Sequence, residues 1–197
     1  MEDRSKHLWD LWTRYRYVMF PQQRKIYQQI ADRADLEEAT ILEAGCGNGT
    51  GSYMLAHVSP HFTATDISKE NIAFAKELYP AIDFDVWDIE RAWYGPKYDW
   101  VVAVEVIEHV KDVKEAIANM LCVAELELWI STPNAAVREP VTNPHHVKEY
   151  TTREMASLLY HRDNAGNESD VEMYDWNTMQ VVDPDTDVDP VLYRVVK

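Results

Sequence analysis

The sequence predicts an α/β protein with a largely parallel sheet that has an antiparallel end. Apolar segments typical of buried strands alternate with helix-forming segments between residues 41 and 160, which indicates strands joined by helical crossovers. A glycine-rich loop joins the first of these strands to the helix after it. The last two apolar segments, Val171–Trp176 and Val191–Val196, have no helix between them, so we predict that they pair in an antiparallel hairpin.

The chain has 197 residues, a length that suits one domain with a substantial core. Its cysteines, Cys46 and Cys122, do not indicate a disulfide framework, which agrees with a reducing compartment. The sequence contains no run of about 18 apolar residues that could span a bilayer, and it does not begin with a signal peptide. We therefore expect a cytoplasmic protein without a membrane partner.

The formal net charge is −15. Such an acidic protein is a poor match for broad nucleic-acid binding, since neutralising phosphates normally requires a basic surface. The charge is unevenly distributed, because residues 1–30 contain six Lys or Arg and three Asp or Glu, whereas residues 163–190 contain nine Asp or Glu and neither Lys nor Arg. A local basic site near the N-terminus is therefore still compatible with the composition.

Residues 1–37 are predicted to form a helical, aromatic cap segment ahead of a domain that comprises residues 38–197. In the first part of this segment, aromatic side chains alternate with arginines, which suits either a helix packed on the domain or a lid that touches substrate. These residues are Trp9, Trp12, Arg14, Tyr15 and Arg16. A following helix is predicted at Gln22–Ala34, with Ile26 and Ile30 on its buried face.

The other elements are predicted from apolar periodicity and from capping residues. Strands are expected from Ile41 into the glycine loop and at His61–Asp66, Ala81–Trp87 and Tyr98–Val104. Ala124–Asn134 is expected to supply the fifth strand and its exit loop. Helices are expected at Thr50–His57, Lys69–Leu78, Val113–Cys122 and Thr151–Tyr160. Ser68 suits the N-cap of the second of these helices, and Thr151 or Thr152 suits that of the last. Residues 135–150 are predicted to form an excursion from the sheet.

The spacing of the loop glycines limits the choice of ligand. Glycines occupy positions 45, 47, 49 and 51, whereas a dinucleotide-binding Gly-x-Gly-x-x-Gly counted from Gly45 requires glycine at position 50, which is Thr50. No Gly-Lys-Ser/Thr follows, so the loop is not a P-loop. Glu43 precedes the loop, and a carboxylate there would repel a pyrophosphate but suits a ligand that carries an ammonium group.

The segment Glu-x-Gly-x-Gly-x-Gly resembles the first motif of the class I S-adenosylmethionine-dependent methyltransferases. The resemblance covers roughly residues 38–197. It implies a Rossmann-like, seven-stranded, mostly parallel sheet of order 3-2-1-4-5-7-6, with the last strand antiparallel and helices on both faces. It also implies that the glycine loop wraps the methionine part and the ribose of S-adenosylmethionine.

Acidic residues at strand ends extend the predicted cofactor site. Asp66 lies 21 residues after Gly45, the distance at which an acidic residue in nucleoside-binding α/β sheets accepts hydrogen bonds from ribose hydroxyls. The resemblance implies that Asp88 reaches the exocyclic amine of adenine and that Ile89 lies on the ring. The complete set of predicted cofactor-binding residues is Glu43, Gly45, Cys46, Gly47, Gly49, Asp66, Ile67, Asp88, Ile89 and Glu105.

A Glu-x-x-Glu-His pattern follows the central strand, where the transferable methyl group should point. Glu105, Glu108 and His109 lie within one turn, so they could share a divalent cation such as Mg²⁺ or Mn²⁺. The pattern is similar to that of small-RNA 3′-terminal 2′-O-methyltransferases, whose ligand set is completed by a histidine ahead of a Glu-aromatic-Thr segment. His146 matches that position. The same pattern also resembles that of methyltransferases of the ubiquinone pathway. A polar pocket that binds no metal is therefore an alternative interpretation.

Methyl transfer from a sulfonium requires the acceptor to be positioned and to lose its proton. His109 is the predicted base, and a metal that lowers the pKa of a hydroxyl is the alternative. O-methylation is favoured over N-methylation, because no Asn/Asp-Pro-Pro-Tyr-type motif follows the fourth strand. The leading hypothesis is a small-molecule or glycan-type acceptor. The alternatives are a metal-dependent RNA 2′-O-methyltransferase and a non-catalytic module that binds the cofactor.

Overall fold

The computed structural model describes residues 21–33, 38–137, 145–160 and 169–197. The predicted aromatic segment with Trp9, Trp12, Arg14, Tyr15 and Arg16 lies outside the described residues. The same holds for the link at 34–37 and for the middle of the predicted excursion, residues 138–144. The division into a cap segment and a domain at residue 38 therefore stays a prediction.

Seven strands form a single sheet of order β3-β2-β1-β4-β5-β7-β6. The first five strands run parallel to one another, whereas β7 is antiparallel to both β5 and β6. This confirms the predicted seven-stranded, Rossmann-like sheet, including its order. The strands are β1 Ile41–Ala44, β2 Phe62–Asp66, β3 Asp83–Val86, β4 Tyr98–Val104, β5 Ala124–Thr132, β6 Asp170–Asp175 and β7 Val191–Val196.

Helices cover both faces of the sheet. In the described part of the chain they are α1 Pro21–Ala31, α2 Thr50–Leu55, α3 Lys69–Leu78, α4 Val113–Val123 and α5 Thr152–Leu159. Buried residues of α1, α2 and α3 pack in one apolar cluster, and those of α4 and α5 pack in another on the opposite face. This arrangement requires the strands between the two layers to be apolar on both sides.

The central strand β4 shows how one apolar run serves both layers. Val101 and Ala103 belong to the cluster under α4 and α5, whereas Trp100, Val102 and Val104 belong to the cluster under α1 to α3. Successive side chains of a strand point to opposite faces, which produces this alternation. Val101 and Val102 are both fully buried, and burying such a side chain stabilises the fold by about 1.5–3 kcal/mol relative to exposure.

Two predicted helix caps are confirmed. The side chain of Ser68 accepts a hydrogen bond from the backbone of Asn71 at the start of α3. Thr151 caps α5, where its side chain and that of Glu154 form a reciprocal capping box. These bonds satisfy backbone N–H groups that the first turn of a helix leaves without an internal partner.

Several predicted boundaries need correction by a few residues. The first described helix begins at Pro21 rather than Gln22, because proline is well suited to the first helical position. It ends at Ala31. Helix α2 ends at Leu55 rather than His57, and β3 is shorter than Ala81–Trp87 at both ends. The predicted exit loop of β5 begins at Pro133, because β5 ends at Thr132 and proline cannot donate a ladder hydrogen bond.

The sheet order reverses between β1 and β4, which lie side by side while their crossover connections leave in opposite directions. A crevice forms outside the carboxyl ends of the strands at such a point. Asp66 is the last residue of β2, and Glu105 directly follows β4, so both lie at this edge. Within the described ranges, no helix combines the length and the apolar composition that crossing a membrane would need.

Candidate active site

A cavity of about 270 Å³ lies at the carboxyl ends of the strands. Its lining includes most of the predicted cofactor residues and the predicted base: Gly45, Gly47, Asp66, Ile67, Asp88, Ile89, Glu105 and His109. Four further lining residues, Trp87, Glu90, Val106 and Val110, were missed by the sequence reasoning. The crevice therefore brings together residues from four separate strand ends.

The glycine loop is fixed to the end of β2 by its backbone. The N–H groups of Gly45 and Cys46 both donate to the carbonyl of Thr65, each at 2.8 Å. Gly47 has φ +55°, and a Cβ added there would meet no atom within 4 Å. The backbone at Gly47 thus faces open space in the cavity, which leaves room for a ligand to approach closely.

Asp66 is held in a fixed orientation at the mouth of the crevice. Its Oδ2 accepts a hydrogen bond from the N–H of Gly47 at 2.9 Å. Its Oδ1 accepts from the N–H of Ser68 at 2.8 Å and from Nδ2 of Asn71 at 3.3 Å. A carboxylate has about four acceptor sites, so Asp66 retains capacity to accept from a ligand hydroxyl.

Glu43 does not line the cavity, although the sequence predicted that it contacts the cofactor. It is fully buried behind the glycine loop, where its carboxylate oxygens accept hydrogen bonds from Tyr27 and Ser52 at 2.5 Å each. Burial raises the pKa of Glu43 to about 7, against the lowering effect of these two hydrogen bonds. Cys46 is likewise buried, and burial raises the pKa of its thiol.

Gly49 also lies outside the cavity lining and serves as the N-cap of α2. A Cβ there would approach the side chains of Phe84 and Ala75 to about 3 Å. Its function in this structure is thus to let α2 start close to α3 and β3. The sequence pattern could not separate this packing function from ligand contact, since both favour glycine.

The far end of the crevice combines an acidic side chain with apolar ones. Asp88 accepts hydrogen bonds from the backbone of Glu90 at 3.0 Å and from the side chain of Arg91 at 3.2 Å. Ile89 is buried, and the indole of Trp87 is fixed by donating to the carbonyl of Arg91. This geometry suits a flat, partly polar group held between apolar side chains.

Glu105 adopts a conformation that is rare for a residue other than glycine, with φ +56°. Such a backbone costs about 1–3 kcal/mol and persists only where surrounding contacts enforce it. The Glu105 N–H donates to the carbonyl and hydroxyl oxygens of Ser131, both at 3.1 Å, and Oε1 accepts from that hydroxyl at 3.0 Å. Ser131 on β5 therefore orients Glu105 at the centre of the crevice.

His109 follows on a short 3₁₀ turn at Ile107–His109. Its Nδ1 lies 3.0 Å from the carbonyl oxygen of His145, and because a carbonyl can only accept, Nδ1 carries the proton. This tautomer leaves a lone pair on Nε2. Desolvation by burial lowers the pKa of His109 below its ordinary value, against an opposing effect of the His145 carbonyl, so the ring is neutral at neutral pH.

His146 is held in a similar way by a carboxylate. Its Nδ1 lies 2.6 Å from Oε1 of Glu149, and both side chains are more than nine-tenths buried. The ring packs edge-on against His109, with 4.8 Å between the ring centroids. Donation from Nδ1 to Glu149 again leaves the lone pair on Nε2.

Three of the four predicted metal ligands come together. Ligand atoms of Glu108, His109 and His146 lie within 4.8 Å of one another. Glu108 is buried and accepts a hydrogen bond from the hydroxyl of Thr132 at 3.1 Å. Glu105 is not part of this group, because its carboxylate is turned toward Ser131.

Backbone contacts attach the end of the predicted excursion to the site. The N–H groups of Val147 and Lys148 donate to the carbonyl of Glu108, at 2.8 and 3.2 Å. Neither this attachment nor the side-chain supports from Ser131, Thr132 and Glu149 were foreseen. A usable signal was the adjacency of Ser131 and Thr132 at the end of β5, since neighbouring parallel strands end at the same edge of a sheet.

Comparisons with known proteins show what the chain is similar to. Residues 41–125 match a family model described as a methyltransferase domain. A probable S-adenosylmethionine-dependent methyltransferase of Mycobacterium tuberculosis strain H37Rv is 32% identical over 149 residues, which is 71% of this chain and 53% of the relative. A ubiquinone biosynthesis O-methyltransferase of Rickettsia canadensis is 36% identical over 91 residues, which is 44% of this chain and 39% of the relative.

Among solved structures, the methyltransferase domain of a bacterial Hen1 protein superposes with a TM-score of 0.68 at 15% identity, over 89% of this chain and 98% of that one. At this identity the similarity concerns the fold. The chain spans about half the length of the M. tuberculosis relative that it matches. Residues 41–125 therefore match a methyltransferase domain, and the sheet order and the glycine loop are similar to those of the class I S-adenosylmethionine-dependent methyltransferases.

Proposed function

We propose that S-adenosylmethionine binds in the crevice with its ribose on Asp66 and its adenine between Asp88 and Ile89. The open backbone at Gly47 and the oriented carboxylate of Asp66 support this placement, since they offer room and acceptors at the same strand ends. Ile67, which is 65% exposed at the cavity, gives a second apolar surface for the ring. Glu43 contributes from behind the loop rather than by direct contact.

We further propose that the protein methylates a hydroxyl oxygen. The sulfonium of the bound cofactor supplies a methyl group that the acceptor oxygen can attack in line. His109 supports this chemistry most directly, because it lines the cavity beside Glu105, is neutral, and presents the Nε2 lone pair. When the acceptor oxygen took the methyl group from the sulfur of the bound cofactor, Nε2 of His109 would accept the proton that the hydroxyl loses.

A small-molecule or glycan-type acceptor is the first choice for the substrate. The net charge of −15 disfavours a long polyanionic partner. The relative named as a ubiquinone biosynthesis O-methyltransferase also supports a small acceptor. The acceptor would lie on the His109 side of the crevice, opposite the end that carries Asp66 and Asp88.

A second candidate is a metal-dependent methyltransferase that acts on an RNA 2′-hydroxyl. The specific observation in its favour is the group of Glu108, His109 and His146. Both histidines donate Nδ1–H to an oxygen atom, which belongs to a carbonyl for His109 and to a carboxylate for His146. Metal-binding histidines are typically held in this way. Mg²⁺ or Mn²⁺ bound there would lower the pKa of an acceptor hydroxyl.

The cofactor placement predicts the effect of Asp66→Ala. Removing acceptors for ribose hydroxyls, and the partner of the Gly47 N–H, should weaken S-adenosylhomocysteine binding by about 1–3 kcal/mol. Isothermal titration calorimetry measures this directly. Asp85→Ala, on the exposed part of β3, is the matched control and should bind like the wild type. Equal affinities for all three proteins would contradict the ribose assignment.

The proposed base predicts a pH dependence. Because burial lowers the pKa of His109 below its ordinary value of 6.5, the neutral base predominates down to that pH. The single-turnover rate should therefore be highest near about pH 8 and reach half of that value only below about pH 6.5, as the ring becomes protonated.

His109→Ala should reduce this rate by about 100-fold or more. His57→Ala is the matched control, since His57 also bonds a backbone carbonyl through Nδ1 but lies outside the cavity lining. A wild-type rate for His109→Ala would show that His109 is not the base.

The metal hypothesis makes a separate prediction. A chelator should abolish activity, Mn²⁺ should restore it, and His146→Ala should weaken Mn²⁺ binding by at least about 10-fold while leaving cofactor affinity unchanged. Mn²⁺ binding can be measured by electron paramagnetic resonance. His145→Ala is the control, because it retains the backbone carbonyl that holds His109. If a chelator has no effect while His109→Ala remains impaired, the metal-free mechanism holds.

The acceptor class and turnover itself are tested together. Transfer of tritium from labelled S-adenosylmethionine should be assayed against separate RNA and metabolite pools. Label in the metabolite pool supports the first proposal, and label in RNA supports the second. Cofactor binding without any transfer would favour the third alternative, a non-catalytic module that binds the cofactor.

A further inference from the structure

The carboxylate of Glu43 connects three elements around the glycine loop. Glu43 lies in β1, just before the loop, and Ser52 lies in α2, just after it. The hydrogen bond between their side chains, at 2.5 Å, therefore closes the loop at its base. The other oxygen of Glu43 accepts from the hydroxyl of Tyr27, which belongs to α1.

Gly51 gives independent support for a close fit between α1 and the loop. A Cβ at this position would lie 2.1 Å from Cζ of Tyr27 and 2.5 Å from its hydroxyl oxygen. Gly51 has no positive φ and does not line the cavity, so neither backbone conformation nor ligand contact explains the glycine. The approach of the Tyr27 ring does explain it.

We propose that Tyr27 is a positioning residue that couples the docking of α1 to cofactor binding. The inference rests on the proposed cofactor site, because the loop held by Glu43 is the loop that faces the ligand at Gly47. Tyr27 and Ser52 fix the Glu43 carboxylate, and the fixed carboxylate holds both ends of the loop. Coupling between two sites is reciprocal, so a bound cofactor in turn stabilises α1 against the domain.

The polar surroundings of Glu43 make the Tyr27 hydroxyl important. Burial has the largest effect on the pKa of Glu43 and raises it, as does the nearby Asp66. The hydrogen bonds from Ser52 and Tyr27 lower this pKa. Removing one of two hydroxyl donors from a fully buried carboxyl group is costly, since the lost bond cannot be replaced by bulk water. The effect should reach the loop that begins two residues later.

Tyr27→Phe is the sharpest test, because it retains the ring over Gly51 and removes the hydroxyl. We expect this variant to bind S-adenosylhomocysteine about 10-fold more weakly, the effect of losing one buried hydrogen bond. In hydrogen exchange, S-adenosylhomocysteine should slow the α1 amides of the wild type and have a much smaller effect on those of Tyr27→Phe.

Tyr98→Phe is the matched control. The hydroxyl of Tyr98 also donates to a side chain, Oγ1 of Thr63 at 3.1 Å. Tyr98 belongs, however, to the apolar cluster on the opposite face of the sheet from Tyr27. This variant should retain wild-type affinity and ligand-dependent protection of α1. Gly51→Ala, which displaces the Tyr27 ring, should reproduce the defect of Tyr27→Phe by a different change.

The outcomes separate this inference from the proposed function. If Tyr27→Phe binds S-adenosylhomocysteine as tightly as the wild type, or if ligand leaves the α1 amides of the wild type unchanged, the coupling is wrong while the cofactor site stands. If the wild type does not bind S-adenosylhomocysteine at all, both are wrong. An equal loss of affinity in Tyr98→Phe would mean that general destabilisation is responsible, which also overturns the coupling.

Discussion

The reversal of strand order between β1 and β4 is the constraint on which the rest of the structure depends. It leaves a crevice at one edge of the sheet that the crossover helices do not fill. The ends of β1, β2, β3 and β4 then bring the glycine loop, Asp66, Asp88 and Glu105 to a single cavity. Residues separated by more than 60 positions in the chain thereby form one binding surface.

Side-chain hydrogen bonds turn this shared edge into a defined geometry. Ser131 and Thr132, at the end of β5, bind Glu105 and Glu108. Asn134, just beyond them, donates through Nδ2 to the carbonyls of Thr186 and Val188. In the described part of the chain, every buried side-chain nitrogen or oxygen has a partner. Such fully satisfied networks specify one arrangement, since each lost partner leaves a costly buried group.

The two ends of the crevice are supported by different parts of the chain. The end with Asp66 and Asp88 rests on loops that follow β1, β2 and β3, and behind it Tyr27 of α1 donates a hydrogen bond to Glu43. The His109 end is supported by the segment after residue 144, which bonds to Glu108 and His109. In the proposed arrangement, acceptor selection and cofactor binding would depend on separate segments and could vary independently.

By itself the sequence determined the pattern of strands and helices and identified Asp66 and Asp88 as acidic residues at strand ends. The strand order followed from the family resemblance, and the structure confirms it. These features rest on local periodicity and on short motifs. Only the tertiary structure decided that Glu43 lies behind the loop with Tyr27 and Ser52, and that Glu105 turns toward Ser131 and is not part of the group that Glu108, His109 and His146 form. The physical reason is that these partners meet through packing and strand register, whereas a sequence pattern records each residue type without its distant partner.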